Sequence, residues 1–281
     1  MKKAKTAGMF IFSVCAMFGL YGQELPDGKA GKLEDRMKEY ATSTGGTDDF
    51  GDHYLPLSPD WVLGFAKAND IPFAAVVSMA KTWLRNSADV SGGKKTREEA
   101  PYPSSMIPRQ LFWLIAMAGD KGQLPFLEEM SDVKDYTVRL EATLAYLHLA
   151  GAGSVDFLRR AIANELYANI NWDTVYRYFF NSLIKWKWEE AGEAEKAEVC
   201  AFLLETIQSN ERDTIVMSMD SFLRDNISDY SNSVQRLTVA RRFAERGVSD
   251  YFRKIKEDVE KIPADKRTDL SKRFKLTPAP Q

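Results

Sequence analysis

The sequence predicts an all-α protein made of stacked antiparallel helical hairpins. Apolar residues recur every three or four positions, as at Leu140, Leu144 and Leu147, which is the spacing of one helix face. Glycine-containing breaks separate such segments, and no run alternates every second residue as a β-strand does. Short helices cannot bury their apolar stripes alone, so we expect an α-solenoid of stacked pairs or a compact helical array.

The clearest hairpin spans residues 135–165. Gly151 and Gly153 are expected to end its first helix, because glycine readily adopts the positive φ that turns the chain. Ser154 is expected to cap the second helix, with Asp156 near the positive end of its dipole. The apolar stripe of that second helix consists of Val155, Leu158 and Ile162.

Two other segments repeat this hairpin. Residues 111–127 align with 144–158 after one short gap, and residues 243–254 align with 149–160 without a gap. The second offset is close to three periods of about 31 residues, which is a length that helical repeats use. Chance similarity between amphipathic helices is the alternative explanation.

The residues of the hairpin carry a family resemblance. Val138 and Arg139 open its first helix, Ala142 follows, and Leu158 lies in the second helix after the glycine turn. In this order the segment resembles the HEAT family of helical repeats, and residues 107–130 and 234–260 resemble it in part. The resemblance implies stacked helical pairs that act as a protein-binding scaffold, with a minority of the family acting in enzymes.

The N-terminus has the pattern of a secretory signal peptide over residues 1–22. Lysines at positions 2, 3 and 5 precede an apolar run from Ala7 to Leu20 that is short for a membrane span, and small Gly22 suits cleavage. We therefore expect a secreted or periplasmic protein with no membrane span in the mature chain. The alternative is a lipoprotein acylated on Cys15.

The rest of the chain divides by composition. We expect a polar leader with a short helix and a loop (23–56), a helical-repeat domain (57–275) and a disordered tail (276–281). Within the domain, residues 87–103 are the longest irregular stretch and residues 172–188 form the most aromatic helix. Cys200 is expected to be a small buried hydrophobic residue rather than a reactive thiol.

Composition limits the function. Hydrophobic residues make up 44% and charged residues 28% of the chain, which suits a globular protein with a sizeable core. The net charge is −2, and it becomes more negative once the signal lysines are removed. This acidic balance argues against nonspecific nucleic-acid binding, which needs a basic surface.

One short acidic loop is a candidate metal site. Asp48, Asp49, Asp52 and His53 place three carboxylates and an imidazole close together, and these groups can hold a divalent cation. A solvated acidic loop is the alternative. His148, in the middle of a predicted helix, is expected to be structural, and no cofactor is predicted.

Two groups of residues are candidates for partner binding. Tyr176, Trp186 and Trp188 could stack on sugar rings or on aromatic side chains of a peptide. Arg159 and Arg160 could form a basic patch. Core packing of the aromatic residues and a solvated face for the arginines are the alternatives.

The sequence contains no recognisable catalytic motif. Neither GxSxG, nor HExxH, nor a phosphate-binding loop is present, and no catalytic residue is predicted. We therefore expect an exported, non-enzymatic scaffold that binds a protein or peptide partner in the cell envelope. The alternative is an envelope hydrolase that acts on glycan or peptide with a cluster of carboxylates.

Overall fold

The computed structural model describes residues 25–42, 58–96, 108–182, 188–247 and 249–276. Within these ranges the chain forms helices and no β-strand, so the all-α prediction is confirmed there. The only extended pairing in the described ranges is an isolated parallel bridge between Ser233 and Thr268. The predicted signal peptide and residues 277–281 of the predicted tail lie outside the described residues.

The first helices along the chain are α1 (Asp27–Thr42), α2 (Asp60–Ala68), α3 (Phe73–Ser91), α4 (Pro108–Met117), α5 (Leu124–Ser131) and α6 (Tyr136–Ala150). They are followed by α7 (Val155–Ala163), α8 (Trp172–Ser182), α9 (Glu193–Ser209), α10 (Asp213–Asn226), α11 (Val234–Glu245), α12 (Asp250–Glu260) and the single turn α13 (Ser271–Phe274). The chain divides into two compact units, residues 1–149 and 150–281. The division falls inside the segment that the sequence predicts as one hairpin.

In the first unit, α1 packs against α2, α3 and α4. Leu33, Met37 and Tyr40 follow one another at helical spacing on α1, and all three have no exposed surface. The short helix predicted within the polar leader is therefore longer than expected and contributes to the core of this unit.

Asp135 directly precedes helix α6, and its carboxylate accepts a hydrogen bond from the backbone N–H of Val138 at 2.7 Å. The sequence predicts a single buried stripe on this helix, but in the structure most sides of the helix are buried. Arg139 and Glu141 are buried along with Leu144, at 6%, 3% and 1% exposure. A buried carboxylate needs a partner, and Glu141 has one in Arg109 of α4 at 2.7 Å.

The turn after α6 differs from the prediction in two ways. Gly151 has a positive φ of 59°, as expected, whereas Gly153 does not adopt a positive φ. Ser154 is buried, and its hydroxyl donates to the carbonyl oxygen of Gly151 at 2.6 Å instead of capping α7. The reason is that Gly151–Ser154 forms a 3-10 turn that continues directly into α7, so the backbone at Ser154 is already helical.

Two predicted boundaries are also shifted. Helix α3 runs to Ser91, so residues 87–91 of the predicted irregular stretch are helical. Helix α8 ends at Ser182, and Trp188 lies in the turn before α9 rather than in an aromatic helix that extends to it. Residues 183–187 lie outside the described part of the chain.

In the second unit, α9 packs against α7, α10, α11 and α13. The carboxylate of Glu195 accepts the N–H of Gly192 at 3.1 Å and so fixes the start of this helix. Cys200 is buried in α9, as expected, and its burial raises the pKa of the thiol to about 11. Among the described helices, none has both the length and the apolar character needed to cross a membrane.

Candidate functional site

A cleft of about 470 Å³ lies in the second unit between α7, α8 and the C-terminal half of α9. Residues 210–212, which follow α9, close one side of it. Its size is within the range of small-ligand pockets, and its walls combine aromatic with charged side chains. This cleft is the candidate functional site.

Three aromatic residues form one wall of the cleft. Trp172 and Tyr176 stand one helical turn apart on α8, with ring centroids 5.7 Å apart, and Phe202 belongs to α9. Tyr176 and Phe202 are buried, whereas the indole of Trp172 is partly exposed. Burial raises the pKa of Tyr176, so its phenol stays neutral. Trp172 therefore supplies the accessible aromatic surface.

Charged side chains also belong to the lining of the cleft. Arg159 of α7 donates hydrogen bonds to Glu198 and Glu205 of α9, each at 3.3 Å, and lies 3.8 Å from Asp156. Its guanidinium also lies 6.0 Å from the centroid of the Phe202 ring. Arg159 is thus surrounded by carboxylates, and these ion pairs join α7 to α9.

A second arginine closes the cleft beyond the end of α9. Arg212 pairs with Asp173 of α8 at 2.5 Å, and this carboxylate raises the pKa of Arg212. Glu211 lies beside it in the lining. Both arginines of the lining are therefore already neutralised by carboxylates of the protein.

The C-terminal end of α9 is held by Arg242 of α11. Its guanidinium donates to the carbonyl oxygens of Ile207 and Asn210, at 3.0 and 2.6 Å, and to that of Gln208. The last carbonyls of a helix lack partners within the helix, and a cation there also complements the helix dipole. Partial burial lowers the pKa of Arg242. This contact fixes the part of the cleft formed by Ser209 and Asn210.

The hydroxyl groups of the lining are engaged in hydrogen bonds to the backbone. Thr206 donates to the carbonyl of Phe202 at 2.7 Å, and Ser209 donates to that of Thr206 at 3.2 Å. No histidine belongs to the lining, and His148 instead lies edge-on to Trp113, with ring centroids 4.7 Å apart. The hydroxyls of Thr206 and Ser209 are therefore bonded to the backbone of their own helix and not to a neighbouring base.

The structure places the predicted partner-binding residues in different surroundings. Arg159 and Tyr176 meet in the cleft, while Arg160 is exposed and lies outside the lining. Trp188 packs edge-on against Phe222, with ring centroids 5.0 Å apart. Trp186 lies outside the described residues.

The predicted metal ligands Asp48, Asp49, Asp52 and His53 also lie outside the described residues. In the part of the chain that the structure does describe, no group of three or more histidine, cysteine, aspartate or glutamate side chains is arranged to hold a metal ion.

Sequence reasoning missed Trp172, Glu205 and Arg212 as members of the site. A signal was available for Trp172 and Glu205. Trp172 lies four positions before Tyr176, and Glu205 lies seven positions after Glu198, so each pair shares a helix face. Arg212 gave no such signal, because it follows the end of α9 and belongs to no helix face there.

A smaller cavity of about 370 Å³ lies beside α11 and α12, and Arg236 and Tyr251 contribute to its lining. Behind it, the buried carboxylate of Asp220 accepts hydrogen bonds from both of these side chains. Burial, and then the bond to Asp220, raises the pKa of Tyr251 to about 12. Arg236 and Tyr251 are thus both bonded to Asp220, which favours a structural role for these two side chains.

Comparison of the chain with protein-family models, with curated proteins and with solved structures finds no match in any of the three. The functional interpretation therefore depends on the site itself.

Proposed function

We propose that this protein is an exported, non-enzymatic scaffold that binds a protein or peptide partner through the cleft between α7, α8 and α9. The observation that carries the proposal is the combination of a partly exposed Trp172, an exposed Ile162 at 47% and charged side chains around one cleft. Exposed aromatic and aliphatic anchors beside polar groups are typical of sites that bind proteins.

We further propose that the helices stack as HEAT-like pairs. Helices that follow one another in the chain pack together within the units, as α3 does with α4 and α11 with α12. In the second of these pairs, Phe243 stacks on Phe252 with ring centroids 4.6 Å apart, and Gly247 supplies a positive φ between the helices. Repeated helical pairs of this kind present extended binding surfaces.

Site-specific photo-crosslinking tests the binding site. A photoreactive phenylalanine analogue at Ile162, at the edge of the cleft, is compared with the same analogue at Met217, an exposed apolar residue of α10 outside the lining. We expect the Ile162 position to yield a discrete adduct with a protein or peptide in exporting cells, and the Met217 position to yield none. Equal crosslinking at both positions, or none at Ile162, contradicts the proposal.

Export is tested separately by mass spectrometry of the N-terminus of the protein made in exporting cells. We expect a chain that starts at Gln23 in the envelope or medium fraction. A chain acylated on Cys15 supports the lipoprotein alternative, and a chain that still starts at Met1 refutes cleavage.

A further inference from the structure

We propose that the cleft binds a basic side chain, a lysine or arginine of an extended peptide segment, with the cation between Trp172 and the carboxylates of Glu205 and Glu211. This inference rests on the proposed function for the location of the partner, and it adds the chemistry that the cleft recognises.

The charges of the cleft favour a cation. Its lining contributes the cations Arg159 and Arg212 and the carboxylates Glu205 and Glu211. The side chains that pair with these arginines are carboxylates too, namely Asp156, Asp173 and Glu198. Five carboxylates therefore accompany these two arginines, and an anionic ligand would have to displace carboxylates already bound to both. Glu205 is itself paired with Arg159 at 3.3 Å, but a carboxylate that accepts one such bond keeps acceptor positions for a ligand cation.

Two further cations, Arg242 and Arg246, contact the residues at and after the end of α9 without reversing this balance, and Arg246 donates to the backbone carbonyl oxygen of Glu211 at 3.5 Å. Arg242 lies behind the end of α9, where its guanidinium bonds to the carbonyl oxygens of residues 207, 208 and 210. Those oxygens belong to the negative end of the helix dipole, so the charge of Arg242 is directed to the backbone. The carboxylate of Glu211 remains in the lining.

The aromatic wall favours the same ligand. A cation over an aromatic ring is attracted by the negative face of the ring, and tryptophan is the strongest partner among the side chains. Trp172 is partly exposed and belongs to the same lining as Glu205. A lysine or arginine side chain also carries an apolar stem, which can lie along Ile162 while its charged end reaches the carboxylates.

The volume suits a single long side chain. About 470 Å³ exceeds the space that one side chain needs, so the adjoining backbone of a peptide also fits. Asn210 also belongs to the lining; its Oδ1 accepts the backbone N–H of Arg212 at 2.9 Å, which leaves its NH₂ group as the donor for that backbone.

Peptide titration followed by NMR tests the inference. Three blocked pentapeptides that differ only at the central residue, which is lysine, norleucine or glutamate, are added to purified ¹⁵N-labelled protein. We expect the lysine peptide to shift the indole N–H signal of Trp172 and to bind about tenfold more tightly than the norleucine peptide. Affinity for the lysine peptide should fall as salt is added, because the carboxylates are partly exposed.

Variants assign the effect to the cleft. Glu205→Gln and Glu211→Gln are each expected to lower the affinity for the lysine peptide about fivefold and to leave the affinity for the norleucine peptide unchanged. Circular dichroism verifies that each variant is folded. Glu257→Gln removes the same charge from an exposed position on α12 outside the cleft and should have no effect. Trp172→Ala should lower the affinity for the lysine peptide about tenfold.

The outcomes separate the two proposals. Equal or tighter binding of the norleucine or glutamate peptide in the cleft overturns the inference about the cation but supports a peptide-binding scaffold. If none of the three peptides perturbs the lining, the inference is also overturned, and crosslinking at Ile162 then decides the proposed function independently.

Discussion

Asp220 and Arg236 form a buried ion pair in which both oxygens of the carboxylate accept a hydrogen bond from one guanidinium, at 2.9 and 3.0 Å. The side chains are 1% and 12% exposed, and the hydroxyl of Tyr251 donates to the same carboxylate. Because the three residues belong to α10, α11 and α12, this network joins three consecutive helices.

Removing the charge of Asp220 should be costly. Asp220→Asn leaves the guanidinium of Arg236 buried without a counter-charge, so we expect the free energy of unfolding to fall by about 3 kcal/mol. Asp225→Asn is the matched control, since Asp225 pairs with Arg224 at an exposed position and should change stability by less than about 1 kcal/mol. Urea denaturation followed by circular dichroism measures both, and similar losses would contradict the buried pair.

Arg242 should stabilise the end of α9. Arg242→Ala removes donors to three helix carbonyls, and we expect a loss of about 2 kcal/mol in the free energy of unfolding. Arg242→Lys keeps the charge without the planar donor geometry and should restore only part of the loss. Arg241→Ala, which breaks a half-exposed pair with Glu260, serves as control and should cost less than about 1 kcal/mol. Backbone hydrogen exchange at residues 204–210 should be faster in Arg242→Ala than in the wild type, and unchanged in Arg241→Ala.

The turn between α6 and α7 contains two glycines with different requirements. Gly151→Ala forces a side chain onto a backbone with φ of 59°, so we expect a loss of about 1 to 2 kcal/mol. Gly153→Ala meets no atom within 4 Å and no positive φ, so stability should be unchanged or slightly higher. Thermal unfolding of the two variants distinguishes the sites, and an equal loss in both would refute the assigned turn.

Cys200 should affect stability at alkaline pH. Its folded pKa, about 11, lies above the ordinary value of 9.0, so folding favours the protonated thiol. This contribution is complete below pH 9 and is lost as pH rises from 9 to 11, where the unfolded thiol ionises first. We expect Cys200→Ala to lose less stability than the wild type over that interval, as measured by urea denaturation at each pH.

The same thiol gives a test of reactivity at neutral pH. A thiol that is buried and protonated does not react, so an aromatic disulfide reagent should label Cys200 at pH 8 only after denaturation. Rapid labelling of the native protein would show that Cys200 is accessible, in contradiction to its burial.

The helical class could be predicted from the sequence because helix periodicity is a local property. Leu144 and Leu147 mark a buried face of α6 by their spacing alone. The burial of Arg139 and Glu141 on the same helix could not be predicted, since it depends on neighbours that are distant in the chain. Ser154 shows a similar limit, because a serine caps a helix only where the preceding backbone is not already helical.

The candidate site was predicted in part. Arg159 and Tyr176 were selected by residue type, and both line the cleft. Helical spacing places Trp172 on the face of Tyr176 and Glu205 on that of Glu198, but it does not show that α7, α8 and α9 meet, so neither Trp172 nor Glu205 was selected. Residue types indicated that aromatic and charged side chains form the site, whereas the fold determined which of these side chains lie in one cleft.

The anchoring of α9 by Arg242 also has a kinetic consequence. Since Ser209 and Asn210 are held in place before any ligand arrives, binding does not have to immobilise that edge, and little conformational entropy is lost there. Association with a rigid receptor of this kind is limited by encounter and orientation, so ligands of different affinity should differ mainly in how long they remain bound.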